Sequence, residues 1–258
     1  MACEPNSLAN LYQDQEEVAK RFSRLVYKVV NDVNFNRDSF KQHDLHLCEA
    51  YCLLWQNAVT GEVDGRLFGI QLKIGAFAAL FIDLCAENLI ELYMHENDDE
   101  PHFRLIDQNI NKVISVFLKI SIFDALRNAK MHGKLRETVL WKWLIRAVDA
   151  DCVELAFESL VARGILDEQP SGVFGIFKRF PTINPEPELK LEKLIQNIAF
   201  GFVFPDNYML ALLVLARESD RIFLCKDPIL SKHFSFKEYE SAKKNLDKII
   251  SLHIKFDS

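Results

Sequence analysis

The sequence is short of the residues that usually announce chemistry. Only 9 glycines and 8 prolines occur among 258 residues. They form no phosphate-cradling glycine loop, no G-x-G-x-x-G opening a helix, and no G-x-S-x-G elbow. Carboxylate pairs such as Glu16-Glu17 and Asp149-Asp151 sit among other polar residues with no nucleophile or oxyanion donor beside them. The chain therefore reads as a non-enzyme with no cofactor. A basic excess is lacking too: 31 Lys and Arg face 37 Asp and Glu, for a net charge of −6. That balance argues against bulk attraction to nucleic acid or anionic lipid.

Cysteine is sparse and scattered, with six in all (Cys3, Cys48, Cys52, Cys85, Cys152 and Cys225). The first twenty residues carry neither a basic segment nor an apolar one of the secretory kind. Reduced, buried thiols in a cytosolic protein are the expectation. Two long apolar stretches exist, but Gln71, Lys73 and Asp83 interrupt Leu67 to Ala86, and Pro205-Asp206-Asn207 breaks Ile198 to Ala216. A charge near mid-bilayer costs about 2.5–3.5 kcal/mol even on a lenient scale, so both read as core helices rather than spans.

Metal-binding patterns fail on geometry. Cys48 and Cys52 share a helix face, but it is the apolar stripe, and His46 points away from it. No zinc spacing gathers His43, His46, Cys48 and Cys52. The acidic run "MHENDDEPH" (94–102) lacks the alternating ligands and closing Glu of a calcium loop, so it reads as a solvated turn and not a metal site.

What is present is helical periodicity. Residues 1–15 read as a flexible N-terminus. Val18, Phe22, Leu25, Val26, Val29, Val30 and Val33 recur at helical spacing through 16–34. Asp44 is the expected N-cap of a helix with Cys48, Tyr51, Cys52, Trp55 and Val59 on one stripe. Leu67 to Glu91 reads as a central helix, followed by an extended piece at 103–106 and helices near 111–120, 122–130, 135–147 and 151–162. Gly164 fits the C′ position of the last of these. "ILDEQPSGVFGIFKRF" predicts a β-hairpin turning at Glu168-Gln169-Pro170-Ser171-Gly172. Helices follow from Pro187 to Phe200 and after Pro205-Asp206, and Ser235 with Glu238 predicts a capping box. The expectation is a mainly α chain, a single domain over 16–258, with one β-hairpin near 164–180. A helix followed by a hairpin also matches a winged-helix nucleic-acid binder in outline. Its helix carries Asp151, Glu154 and Glu158 where base and phosphate readers belong, and Lys178 with Arg179 adds little, so nucleic acid is a poor fit.

Several segments, in order along the chain, resemble the Golgi phosphoprotein 3 family. "LHLCEAYCLL" is similar to its L-x-L-x-E-E-x-x-L-L opening, and "FAALFIDLCAENLIEL" to the helix that follows. "ESLVARGIL" resembles the entry to its hairpin, "FKRFPTINPEPE" the exit, and "YMLALLVLARESDRIF" a later helix. The resemblance implies a central helical bundle wrapped by amphipathic helices, with a protruding apolar hairpin. It further implies a peripheral adaptor on the cytosolic face of the Golgi. Such an adaptor binds phosphatidylinositol 4-phosphate membranes, coatomer and the tails of the glycosyltransferases it retains. The family's headgroup pocket uses a Trp and three Arg; the matching positions here are Arg66, Gly75, Ala150 and Val153, none of the expected type. Arg66 and Lys73 are the substitute candidates for a phosphate contact. Val173, Phe174, Ile176 and Phe177 of the hairpin are the candidates for self-association or membrane contact. "KRFSRLVYK" is the nearest counterpart of a basic coatomer-contacting cluster, and it equally fits the polar face of a helix. The acidic run 94–102 occupies a loop in which the relatives carry Arg and Lys. Carboxylates there predict weaker or differently oriented membrane contact. A helical protein-interaction scaffold without phosphoinositide binding is the alternative reading.

Overall fold

The computed structural model describes residues 6–64, 69–96, 98–106, 139–146, 152–172, 177–222 and 229–254. Its helices are α1 (Asn6–Val30), α2 (Leu47–Leu53), α3 (Ile70–Ala86), α4 (Leu140–Arg146), α5 (Cys152–Ala162), α6 (Glu186–Ala199), α7 (Asn207–Ile222) and α8 (Phe236–His253). Two antiparallel ribbons accompany them: β1 (Ile90–Met94) with β2 (Pro101–Leu105), and β3 (Gln169–Ser171) with β4 (Phe177–Arg179). The mainly α expectation holds. The helices expected near 111–120 and 122–130 lie outside the described residues.

α3 is apolar on every side and buried along almost its whole length, as a helix enclosed by others must be. α1, α2, α4, α5 and α7 pack around it. α7 is nearly as buried, from Tyr208 to Ser219, and α6 with α8 packs outside. The buried apolar side chains join into one cluster. Cys48, Cys52, Cys85 and Cys152 belong to it as free thiols. Burial pushes the Cys85 thiol well above its usual range.

Local signals locate several ends correctly. Ser235 and Glu238 form the capping box of α8, with the Ser235 N–H donating to Glu238 at 3.1 Å. Asp206 caps α7 by accepting from the Met209 N–H at 2.8 Å, and it also contacts His43 Nε2 at 2.7 Å. Burial raises the Asp206 carboxyl, but these two bonds outweigh it, and the net position is below the usual carboxylate range. A depressed carboxyl contributes stability above its ordinary value near 3.9 and loses it as pH falls through the folded value. Asp206→Ala is thus expected to cost about 1–2 kcal/mol at pH 7. Urea titrations should show that difference shrinking below about pH 4.

Other expectations are corrected. α1 begins at Asn6, ahead of residue 16. α2 is capped at His46 rather than Asp44, because Glu49 at the third helical position accepts from the His46 N–H at 2.9 Å. Val59 is exposed, since the chain leaves the helix after Leu54. α3 stops at Ala86 rather than 91: Asn88 takes a left-handed φ of 60°, and its N–H and that of Leu89 bond back to Cys85 and Leu84. The freed residues become β1, pairing Ile90 with Leu105 through Met94 with Pro101.

Candidate functional site

The hairpin β3–β4 stands on a tightly fixed base. Glu49 is fully buried, accepts from Ser159 Oγ at 2.7 Å and pairs with Arg163. Arg163 also donates to the Asp44 carbonyl at 2.6 Å. One carboxylate therefore caps α2 and clamps α5 to it. Gly164, at φ 67°, turns the chain as its own N–H and that of Ile165 bond to Val161 and Leu160. Ile165 and Leu166 are buried, and the returning Phe180 stacks on Phe157 at 4.7 Å. Gln56 Nε2 donates to the Phe180 carbonyl at 2.5 Å, and the Phe180 N–H donates to Gly61 at 2.8 Å.

The ribbon turns later than the sequence predicts. Ser171 pairs with Phe177, so Gln169, Pro170 and Ser171 lie in β3 rather than in the turn. The Pro/Gly cluster misleads because an edge strand tolerates a proline. Phe177 is half exposed, its ring against Gly172. Val173, Phe174 and Ile176 lie outside the described residues. The cations of this region are engaged: Lys178 pairs with Glu154 at 3.0 Å and Glu168 at 3.2 Å, and Arg179 pairs with Glu62 at 3.4 Å.

Of the two headgroup candidates, Lys73 is half-buried on α3, and Arg66 lies outside the described residues. Gly75 is covered by the Tyr51 ring, whose hydroxyl donates to the Gln71 carbonyl at 3.0 Å and contacts Ser219 Oγ at 2.7 Å. Val153 is buried. Two of the pocket positions are therefore core positions, and at residue 75 the Tyr51 ring leaves no room for a side chain. Ala150 lies outside the described residues. On α1, Lys20 pairs with Glu16, Arg21 with Glu218 and Arg24 with Glu100. These pairs favour the structural reading of the basic run.

The acidic run is the connection of β1 to β2. It is only partly the solvated turn expected. Asp98 accepts from His102 at 2.9 Å, and this bond is the main reason its carboxyl lies below the usual range. Glu100 is mostly buried, held by Arg24 at 2.6 Å.

Sequence reading missed one surface. The stretch Ile198 to Ala216 is not a continuous core helix: Phe200, Gly201, Phe202, Val203 and Phe204 form an exposed turn between α6 and α7. Phe234 brings its ring within 5.9 Å of that of Phe200, and Phe236, two residues on at the start of α8, is exposed. The signal was an uncharged aromatic pentapeptide directly before Pro205-Asp206, a helix start. Its hydrophobicity assigned it to the core.

Among the described residues, no group of His, Cys, Asp and Glu is placed to hold a metal, and no helix is long and apolar enough to cross a membrane. Neither the known family models nor the curated proteins contain a match to this chain.

Proposed function

We propose that this chain is a non-enzymatic peripheral adaptor of the Golgi phosphoprotein 3 type. It would act on the cytosolic face of the Golgi in trafficking linked to phosphatidylinositol 4-phosphate. Its protein partners would be coatomer and the tails of retained glycosyltransferases. The supporting observation is the hairpin mount: a short ribbon bearing half-exposed Phe177 follows a base fixed by Glu49, Arg163 and Phe180. A rigid base lets exposed Phe177 meet a partner without the cost of ordering the strand first. Vesicle flotation tests this reading. Full-length protein is expected to float with vesicles containing phosphatidylinositol 4-phosphate several-fold better than with vesicles lacking it, and Phe177→Asp is expected to reduce that gain. Equal flotation with both would overturn the phosphoinositide link.

The burial of Gly75 and Val153 favours a second reading, an interaction scaffold that binds proteins without phosphoinositide recognition. It predicts that equal flotation. The nucleic-acid reading loses support, because Arg163, Lys178 and Arg179 each face a carboxylate.

A further inference from the structure

Three helices end in the same backbone motif, and one of them treats it differently. α3, α5 and α6 each close with a left-handed residue (Asn88, Gly164, Gly201) whose N–H, with that of the next residue, bonds back into the last turn. The residue after the left-handed one normally packs against its own helix. Leu89 and Ile165 are buried, at 4% and 3% exposure. Phe202, in the same position after α6, is 76% exposed, and Phe204 is 91% exposed. The outward aromatic is therefore a property of this turn and not of the motif.

The backbone donors of the turn are satisfied within it. The Phe200, Gly201, Phe202 and Val203 N–H groups donate to Gln196, Ile198 and Asn197 carbonyls at 2.8–3.3 Å. Donors satisfied internally lower the cost of taking this loop out of water. No charged side chain lies between Asn197 and Asp206.

Beside the turn lies a cationic stripe. Asn245 of α8 donates to the Ala199 carbonyl at 3.0 Å, which fixes that edge of α8 against the end of α6. Lys237, Lys244 and Lys248 are exposed, and their spacing places them on one stripe of α8 with Ser241 and Leu252, flanked on one side by Asn245. Of the α8 acids, Asp247 is bonded to Arg217 and Glu238 to Ser235, and exposed Glu240 flanks the lysine stripe. Phe236, 91% exposed, precedes the first of these lysines.

We infer that the Phe200–Phe204 turn and the α8 lysine stripe dock the protein on an anionic bilayer, the aromatics entering the interface and the lysines facing the headgroups. Aromatics supply area and lysines supply attraction to anionic lipid; either alone anchors weakly. This surface is separate from β3–β4. The inference rests on the peripheral-membrane part of the proposed function and adds a contact that needs no phosphoinositide.

The test uses full-length protein with phosphatidylcholine vesicles, with the same vesicles carrying phosphatidylserine, and with the latter plus phosphatidylinositol 4-phosphate. Partition is expected to rise with phosphatidylserine and to fall as salt is added. It should drop more than tenfold in Phe202→Ser/Phe204→Ser, and by roughly fivefold for each of Lys237→Gln, Lys244→Gln and Lys248→Gln. In Phe204→Trp, brominated lipid should quench fluorescence beyond the level seen in the unsubstituted protein. All these side chains are exposed, and unchanged urea midpoints would establish that the variants fold. Phosphoinositide-dependent partition that Phe202→Ser/Phe204→Ser leaves intact overturns this inference and spares the adaptor reading. Phosphatidylserine-dependent partition lost in that variant, with no phosphoinositide gain, upholds the inference and overturns the phosphoinositide link. No partition of the unsubstituted protein to any vesicle overturns both.

Discussion

Arg163→Met is expected to destabilise the protein by about 3–5 kcal/mol, the loss typical when one partner of a buried ion pair is removed. Arg163 itself is partly exposed and would tolerate isolation. Its partner would not: Glu49 is fully buried, and without the guanidinium it keeps only Ser159 and the His46 N–H. A buried carboxylate left without a cation retains its full desolvation cost. The methionine stem keeps most of the packing volume, so the loss reports the charge. Glu49→Gln on the Arg163→Met background should recover part of it, because a neutral amide needs no counter-ion. Urea midpoints of the four proteins form a double-mutant cycle. Additive losses would show that the pair contributes nothing as a pair, and the clamp between α2 and α5 would have to lie elsewhere. A second consequence concerns the ribbon. The clamp lies directly before the Gly164 turn, so amide protection of Ile165, Leu166 and Phe180 should fall with it.

Gly75→Ala is expected to cost about 1–3 kcal/mol through overpacking. A Cβ at residue 75 would collide with the Tyr51 hydroxyl and its ring carbon. The ring has little freedom to withdraw, because the hydroxyl is held by Gln71 and Ser219 and the side chain is fully buried. A thermal melt or a urea titration measures the effect. An unchanged midpoint would mean that α2 can slide away from α3, against the close approach seen here. The larger Gly75→Arg should prevent folding, because it adds a charge to the same collision. The outcome also bears on function, since position 75 is one at which the resemblance expects a headgroup arginine.

The parts of this molecule legible in the sequence are those fixed by neighbours three or four residues apart. Ser235 with Glu238, Asp206 with Met209, and Gly164 after α5 each mark an end because both partners lie within one turn. The apolar continuity of Ile70–Ala86 announced a buried central helix for the same reason. Contacts between distant segments left no local trace. The strand pairing of Ile90–Met94 was hidden in what looked like more helix, because a short apolar run does not separate the two periods. Nothing near Glu49 in the sequence marks its role, and only folding shows that Arg163 and Ser159 converge on it. The aromatic turn failed differently. Hydrophobicity says that a residue prefers to leave water, not whether its own chain provides the place. Phe202 and Leu89 occupy equivalent positions in equivalent motifs, yet one is buried and the other is not.

Hydrogen exchange of the full-length protein, alone and with phosphatidylcholine–phosphatidylserine vesicles with and without phosphatidylinositol 4-phosphate, tests the central claim most directly. That claim is that a fixed helical core presents apolar projections to a partner surface. Added protection is expected at Phe204 and the first residues of α8, and at the strands of the second ribbon, with the buried amides of α3 and α7 unchanged. Protection confined to other surfaces such as β1–β2, or loss of protection in α3 on binding, would contradict it.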